Sequence, residues 1–542
     1  MRSRSALLTS ALVLSSLLPA CDCTSPSRAS DGGDAGATDA STRDGGAGGD
    51  GGQACTPSGT EVCDGVDNDC NGKVDEGYTL LCRPCADAGC VEAKLSGGAF
   101  LAGASRNLTI GDDLGLALPP LPRAQPYIYI SNSGEDTVSK IRTTDAVEVG
   151  RILVGTNPSR TAVDGRGDAW IAMRGNVSDD GSGPLENVIK ISGDCVPTVA
   201  PPTPTRECIL LDRPKVGNLL RGIAVDARND IWVGAYATLE VILIDGETGE
   251  ELQRVGLPGR PYGIAMDNDG YLWVSAHSAA GASGRVYRVD PAQGQVDLTL
   301  GDAELQANST YGLAADGEGG VWFANFRDSV FRVDTSDGGV GPTYTVGTIT
   351  RGLAADDQGF LWAADSAQNA LLKIDRRTGA TLTFPVGSGP VGVAVDHEGN
   401  VWSVNQGSGD ATKLSPDGGV LATVKVGSDP YTYSDMTGSA WRLFRTMKGF
   451  FVGRYETGLA GARWRRVTWA GVVPSTSTFT VRVRASDGDL SRAPWREVTF
   501  TGQSAALDLV GDSLELEVRL TTADRQALPH VEQFTFEIER QP

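Results

Sequence analysis

One ten-residue unit recurs six times in this chain. The copies are TAVDGRGDAW (161–170), IAVDARNDIW (223–232), IAMDNDGYLW (264–273), LAADGEGGVW (313–322), LAADDQGFLW (353–362) and VAVDHEGNVW (393–402). A seventh, YSDMTGSAW (433–441), is degenerate. Each copy reads as a strand of period two, a polar turn and a second strand bearing tryptophan. Trp232, Trp273, Trp322, Trp362, Trp402 and Trp441 follow one another at 41, 49, 40, 40 and 39 residues. Trp170 precedes Trp232 by 62, so that unit carries an insertion. A strand-built period of about 40 residues predicts propeller blades, because one such unit cannot bury its own apolar face and its neighbours must stack on it. In YIYISNS (127–133), Tyr129 stands at the tryptophan position. Counting second strands at Tyr129, Trp170, Trp232, Trp273, Trp322, Trp362 and Trp402 gives seven blades over 126–440. The first blade lacks an inner strand. Residues 431–438 (YTYSDMTG) are placed to supply it, which closes the ring and removes an open sheet edge. The tryptophans are read as packing between blades.

At 542 residues the chain is too long for one core. Residues 1–20 have a basic start at Arg2 and Arg4 and an apolar run from Ala6 to Leu18, too short to span a membrane. They read as a signal peptide. Leu18-Pro19-Ala20-Cys21 is similar to a bacterial lipobox, which implies lipidation of Cys21 and a membrane anchor through that lipid. Residues 21–54 are a Gly/Asp-rich tether with too little apolar surface to fold. The segment 55–92 holds Cys55, Cys63, Cys70, Cys82, Cys85 and Cys90, a disulfide pattern of open connectivity in an exported chain. Cys195 and Cys208, in the insertion of blade two, are expected to pair. A connector is expected over 93–125. Residues 446–542 hold at least six short alternating strands and suit a β-sandwich. The expected class is therefore all-β: a seven-bladed propeller followed by a sandwich, preceded by a disulfide-rich segment and a disordered tether.

The formal net charge of −21 excludes nucleic acid as a natural partner. A monomer in the bacterial cell envelope, at the outer membrane or cell surface, is expected. In EVCDGVDNDCNGKVDEG (61–77), Asp67, Asp69, Asn71 and Gly72 occupy places one, three, five and six of an EF-hand-like loop, and Asp75 place nine. Asp64 and Glu76 add carboxylates, and Tyr78 stands where the bidentate glutamate would be. The oxygen-rich set points to a divalent metal, calcium first.

A blade's first strand leaves one face and its second returns to it. Arg160, Arg221, Tyr262, Tyr311, Arg351, Val391 and Tyr431 precede the first strands. Ser133, Arg174, Tyr236, His277, Phe326, Ser366 and Gln406 end the second. The two sets share a face at the channel mouth, where Arg and Tyr suit an anionic or aromatic ligand, a glycan or a protein segment.

The repeated unit resembles the propeller of streptogramin lyases (virginiamycin B lyase) and of NHL-repeat proteins, over about 126–440. The 61–77 segment is similar to a metal-binding motif of bacterial envelope proteins, and the C-terminal part is generically like jelly-roll or discoidin-like modules. The lyase resemblance implies a histidine base on the mouth face. The chain has three histidines, His277, His397 and His530, of which only His277 falls there. The paired histidines of the family are absent. A non-catalytic binding module is the leading reading, with a His277-dependent lyase as the alternative.

Overall fold

The computed structural model describes residues 57–85, 89–111, 115–176, 186–276, 285–305 and 310–540. Cys21, Cys55, His277 and the segments read as signal peptide and tether lie outside them. No helix among the described residues is long and apolar enough to cross a membrane.

Seven antiparallel sheets follow one another from Tyr127 to Lys425. Six have four strands, and the first, Tyr127–Asn132, Thr137–Arg142 and Val147–Leu153, has three. The closing segment completes it: Tyr431 N donates to Ser131 O at 2.9 Å, and Tyr129 N to Met436 O at 3.2 Å. Ring closure and the blade count thus stand as expected.

Each repeat aspartate clamps its own blade. In Asp164, Asp267, Asp316, Asp356 and Asp396 one carboxylate oxygen accepts the backbone N–H groups two and four residues on. The other oxygen accepts the indole N–H of the tryptophan six residues on, at 2.7–3.2 Å. The turn and the second strand are therefore held by one side chain. Lys190, Arg332 and Lys413 of the third strands lie 3.4, 3.0 and 3.6 Å from three of these carboxylates. The tryptophans are wholly buried and pack into the next blade, Trp170 among Ile223, Val225 and Val233, Trp322 among Leu353, Ala355 and Leu361.

Blade three departs from this rule. Asp226 still takes the N–H groups of Arg228 and Asp230, but the Trp232 indole N–H is buried without a partner. Burial pushes the Asp226 carboxyl up to about 7, against an ordinary 3.8. Between those values the unfolded chain has lost this proton and the native chain keeps it, so the stabilising contribution is complete below about 4 and is lost as pH rises toward 7. Asp226→Asn is accordingly expected to raise the urea midpoint at pH 8 and to leave it unchanged at pH 4. Asp356→Asn should cost about 1–3 kcal/mol of stability at both, because an amide cannot satisfy two backbone N–H groups and an indole N–H together.

The sandwich is built from both ends of the chain. One sheet runs Leu81–Pro84, Cys90–Ser96, His530–Glu539, Arg463–Val472 and Ser504–Val510, with Thr109–Gly111 and Gly115–Ala117 attached. The other runs Ala104–Arg106, Met447–Glu456, Ser513–Thr522, Ser477–Ser486 and Arg496–Glu497. The segment expected as a connector therefore supplies strands and core residues, among them Leu95 and Phe100 packed with Trp464, Phe451 and Phe534. The propeller is an insertion within a sandwich sequence. Arg106 binds Asp290 at 2.5 Å, Asn107 Nδ2 donates to Asn268 O and Lys448 binds Asp269, tying the two together on the face of the Asp–Trp turns. Disulfides join Cys63 to Cys82, Cys85 to Cys90 and, as expected, Cys195 to Cys208; Cys70 is also disulfide-bonded.

Candidate functional site

The second-strand ends and first-strand starts do meet on one face. The N–H groups of Ser133, Arg174, Tyr236, Ser366 and Gln406 donate to the carbonyls of Asp429, Asn157, Leu219, Ile349 and Gly389, just before the first strands. The residues expected to precede those strands instead lie within or beside them. Arg221, Tyr262, Tyr311, Arg351 and Val391 stand five residues before the repeat aspartate, and Arg160 and Tyr431 stand four before. The one-residue offset puts Arg160 where five other blades have Gly222, Gly263, Gly312, Gly352 and Gly392. The first strands of blades two, three, four and seven all bulge here, the extra residue being Ser159 in blade two and Arg221, Tyr262 and Val391 in the others.

That offset turns Arg160 into the channel. It is fully buried, donates to Ser159 O at 2.6 Å and to the Tyr433 hydroxyl, and stacks 3.7 Å from the Tyr433 ring centre. Around it the hydroxyls of Tyr262, Tyr311 and Tyr431 form a triangle with sides of 2.7, 2.8 and 2.6 Å. Tyr262, Tyr311 and Tyr431 are buried. The deep part of the mouth is therefore a plug of aromatic rings around one guanidinium, rather than an open pocket.

Above the plug the cations continue. Arg174, Arg221, Arg351 and Phe326 are half-buried. Arg221 packs 5.2 Å from the Tyr262 ring centre, Arg174 5.1 Å from that of Tyr431, and Arg351 5.4 Å from that of Phe326. Tyr236 is buried beside Arg221 and Arg260. Burial, then the Arg221 and Arg160 cations, hold the Arg174 guanidinium below its ordinary range, so these charges feel one another. Among the described residues none of Arg160, Arg174, Arg221 and Arg351 forms an ion pair. Arg221 Nε and Nη1 and Arg351 Nε are buried without hydrogen-bond partners. Guanidinium N–H groups desolvated in this way call for an acceptor.

The acidic loop is a second candidate. Carboxylate oxygens of Glu61, Asp67 and Asp69 lie within 4.8 Å of one another. Asp67 and Asp69 were visible in the loop spacing; Glu61 was not, because it precedes the loop. Its own oxygens accept the N–H groups of Asn68, Asp69 and Asp75 at 2.6, 2.8 and 3.0 Å. Asp64 and Asp75 are turned away from the cluster. Asp64 is buried, pairs with Arg540 and accepts from Val66 N and Asn68 Nδ2. Asp75 accepts the N–H groups of Asp64 and Gly65. Asn71 bridges Asp69 and Glu76. The three converging carboxylates fit a hard divalent cation by donor type.

Residues 50–76 match the copper-binding MopE family model, described as a "Putative metal-binding motif". A search of curated proteins gives no match. Among solved structures, virginiamycin B lyase from Staphylococcus aureus is similar at 14% identity and a TM-score of 0.41, over 54% of this chain and 90% of that one. A streptogramin B lyase is similar at 15% identity and a TM-score of 0.35, over 43% and 75%. The WD40 propeller domain of Doa1 is similar at 14% identity and a TM-score of 0.40, over 60% and 93%. The fold assignment itself rests on the sheet topology.

Proposed function

We propose that the protein is an envelope lipoprotein, anchored through Cys21 and exported, whose propeller is a non-catalytic scaffold that binds an anionic ligand over the arginine mouth. The observation that carries this reading is Arg221, which presents two buried guanidinium nitrogens with no acceptor beside two further cations. Phe326 and the tyrosines add ring faces suited to a sugar or an aromatic group. Glycans bearing sulfate or uronic acid combine both chemistries and lead among the ligands; an acidic small molecule or protein segment uses the same groups. Binding of a sulfated or uronic-acid oligosaccharide panel to the purified chain tests it. Arg221→Ala with Arg351→Ala should weaken the best binder at least about 100-fold, as two charged hydrogen bonds of about 1.5–3 kcal/mol each are lost. Equal binding by wild type and variant, or none to any acidic glycan, removes the reading. Cys21→Ser should move the protein from the membrane to the soluble fraction.

The acidic loop adds a metal site in this reading. Glu61, Asp67 and Asp69 would hold the ion, and with only carboxylates in that set calcium is preferred over copper. Calorimetry with calcium should give one site on the full chain, and Glu61→Ala or Asp67→Ala with Asp69→Ala should abolish the heat. A copper signal without a calcium signal reverses the assignment.

A further inference from the structure

The plug fills one end of the propeller channel only. At the other end, on the face of the Asp–Trp turns, the channel opens into a cavity of about 390 Å³. The same first strands that carry Arg and Tyr at one end carry alanine here. Ala265, Ala314 and Ala354 line this cavity and are half-buried, whereas the preceding Ile264, Leu313 and Leu353 are 3%, 9% and 5% exposed. The free volume therefore faces a ring of methyl groups. Trp441, the tryptophan of the degenerate repeat, sits on the short turn Ala440–Leu443 and forms part of the wall with Leu443 and Phe444.

The rest of the wall is polar: Asp357, Asp396, His397, Ser434, Asp435, Ser439 and Arg442 line it on the side of the Ala440–Leu443 turn. The Asp435 carboxylate is occupied by the N–H groups of Ser439 and Ala440, both at 3.1 Å. Ser434 lines the wall with φ of 97°, a strained backbone for a residue with a side chain. His397 also lines it. Its Nε2 is buried without a hydrogen bond, and its Nδ1 lies 3.4 Å from Ser439 Oγ. Burial, then the Arg442 cation, holds the imidazole below its ordinary value, in the neutral form at pH 7.

We propose that this end of the channel is a binding site for a compact molecule of one or two rings whose apolar face lies on the alanine ring and whose polar edge lies on the side of His397 and Arg442. The volume falls within the ordinary range for small-molecule pockets, as does an apolar wall faced by a few polar groups. The site differs from the arginine mouth in place and in chemistry, so either can stand without the other.

The test is a fluorescence titration of the full chain with N-phenyl-1-naphthylamine, a neutral two-ring probe with one N–H that arginine does not attract. One saturable site with blue-shifted emission is expected. Ala354→Phe, which fills the volume, should weaken it at least 10-fold. Leu421→Ser, which removes an exposed apolar side chain on an outer strand, should leave it unchanged. If Ala354→Phe loses cooperative unfolding, Ala354→Val with Ala394→Val serves in its place and should weaken binding by the same readout. Absence of a saturable signal, a signal indifferent to the filling variants, or one lost in Leu421→Ser overturns the proposal.

Discussion

Gly312→Ala and Gly392→Ala should each lower the stability of the folded chain by about 3 kcal/mol, the upper end of what overpacking costs. A Cβ at Gly312 would lie 2.2 Å from the Arg351 carbonyl oxygen, and one at Gly392 2.0 Å from that of Thr432. Both obstacles are the backbone of the next blade's first strand, so neither can swing aside as a side chain would. A Cβ at Gly352 would likewise lie 2.7 Å from the Val391 carbonyl oxygen. The glycine at this register sets how closely the inner strands gather around the channel. Gly392 faces the closing segment itself, so its substitution also pushes against ring closure. Gly256→Ala, on an outer strand with nothing within 4 Å, should cost less than about 1 kcal/mol. Urea unfolding of the three variants decides the matter; equal midpoints would mean that the blades are not packed at the channel as described.

The second large effect belongs to Tyr431. Burial alone would raise its phenol, but the Arg160 and Arg221 cations and hydrogen bonds from Tyr262 and Tyr311 bring it down to about 7. Tyr433 moves the other way, well above its ordinary value, chiefly through burial. A phenolate at Tyr431 would balance the fully buried Arg160, which has no carboxylate partner among the described residues. Because the folded value lies below the ordinary 10, the native state favours the ionised form. The stabilisation it gives is complete above pH 10 and is lost as pH falls toward 7. Wild type should therefore gain stability over Tyr431→Phe between pH 7 and pH 9, by about 2 kcal/mol at the upper end. Absorbance at 295 nm should show one tyrosine titrating near 7 that is missing from the variant. A wild-type chain whose tyrosines all titrate above 9 would contradict the arrangement.

The repeat made the propeller legible because each blade restates the same strand, turn and strand. It left the clamp hidden. The aspartate and tryptophan are plain in the sequence, but that one carboxylate serves both the turn and the indole appears only once the turn brings side chains six residues apart into hydrogen-bond contact. The sandwich was half legible. Strands after 446 alternate cleanly, whereas the pairing of Cys90–Ser96 with His530–Glu539 spans over four hundred residues and leaves no local mark. At the mouth the register was misread: Arg160 was aligned with Arg221, whereas Ser159 holds the bulged position that Arg221, Tyr262 and Val391 hold in other blades, and Arg160 stands one residue on, where those blades have glycine. Glu61 was missed for a different reason. It reaches the acidic loop from outside through backbone hydrogen bonds, and no spacing rule predicts that.

The arginine mouth as an anion site is the centre of this account, and soaking crystals of the full chain in selenate tests it without knowledge of the natural ligand. An anomalous selenium peak at hydrogen-bond distance, about 3 Å, from Arg221 Nε or Nη1 is the predicted result. Arg221 found bonded to carboxylates or carbonyls of the chain itself, with no anion beside it, would contradict the account.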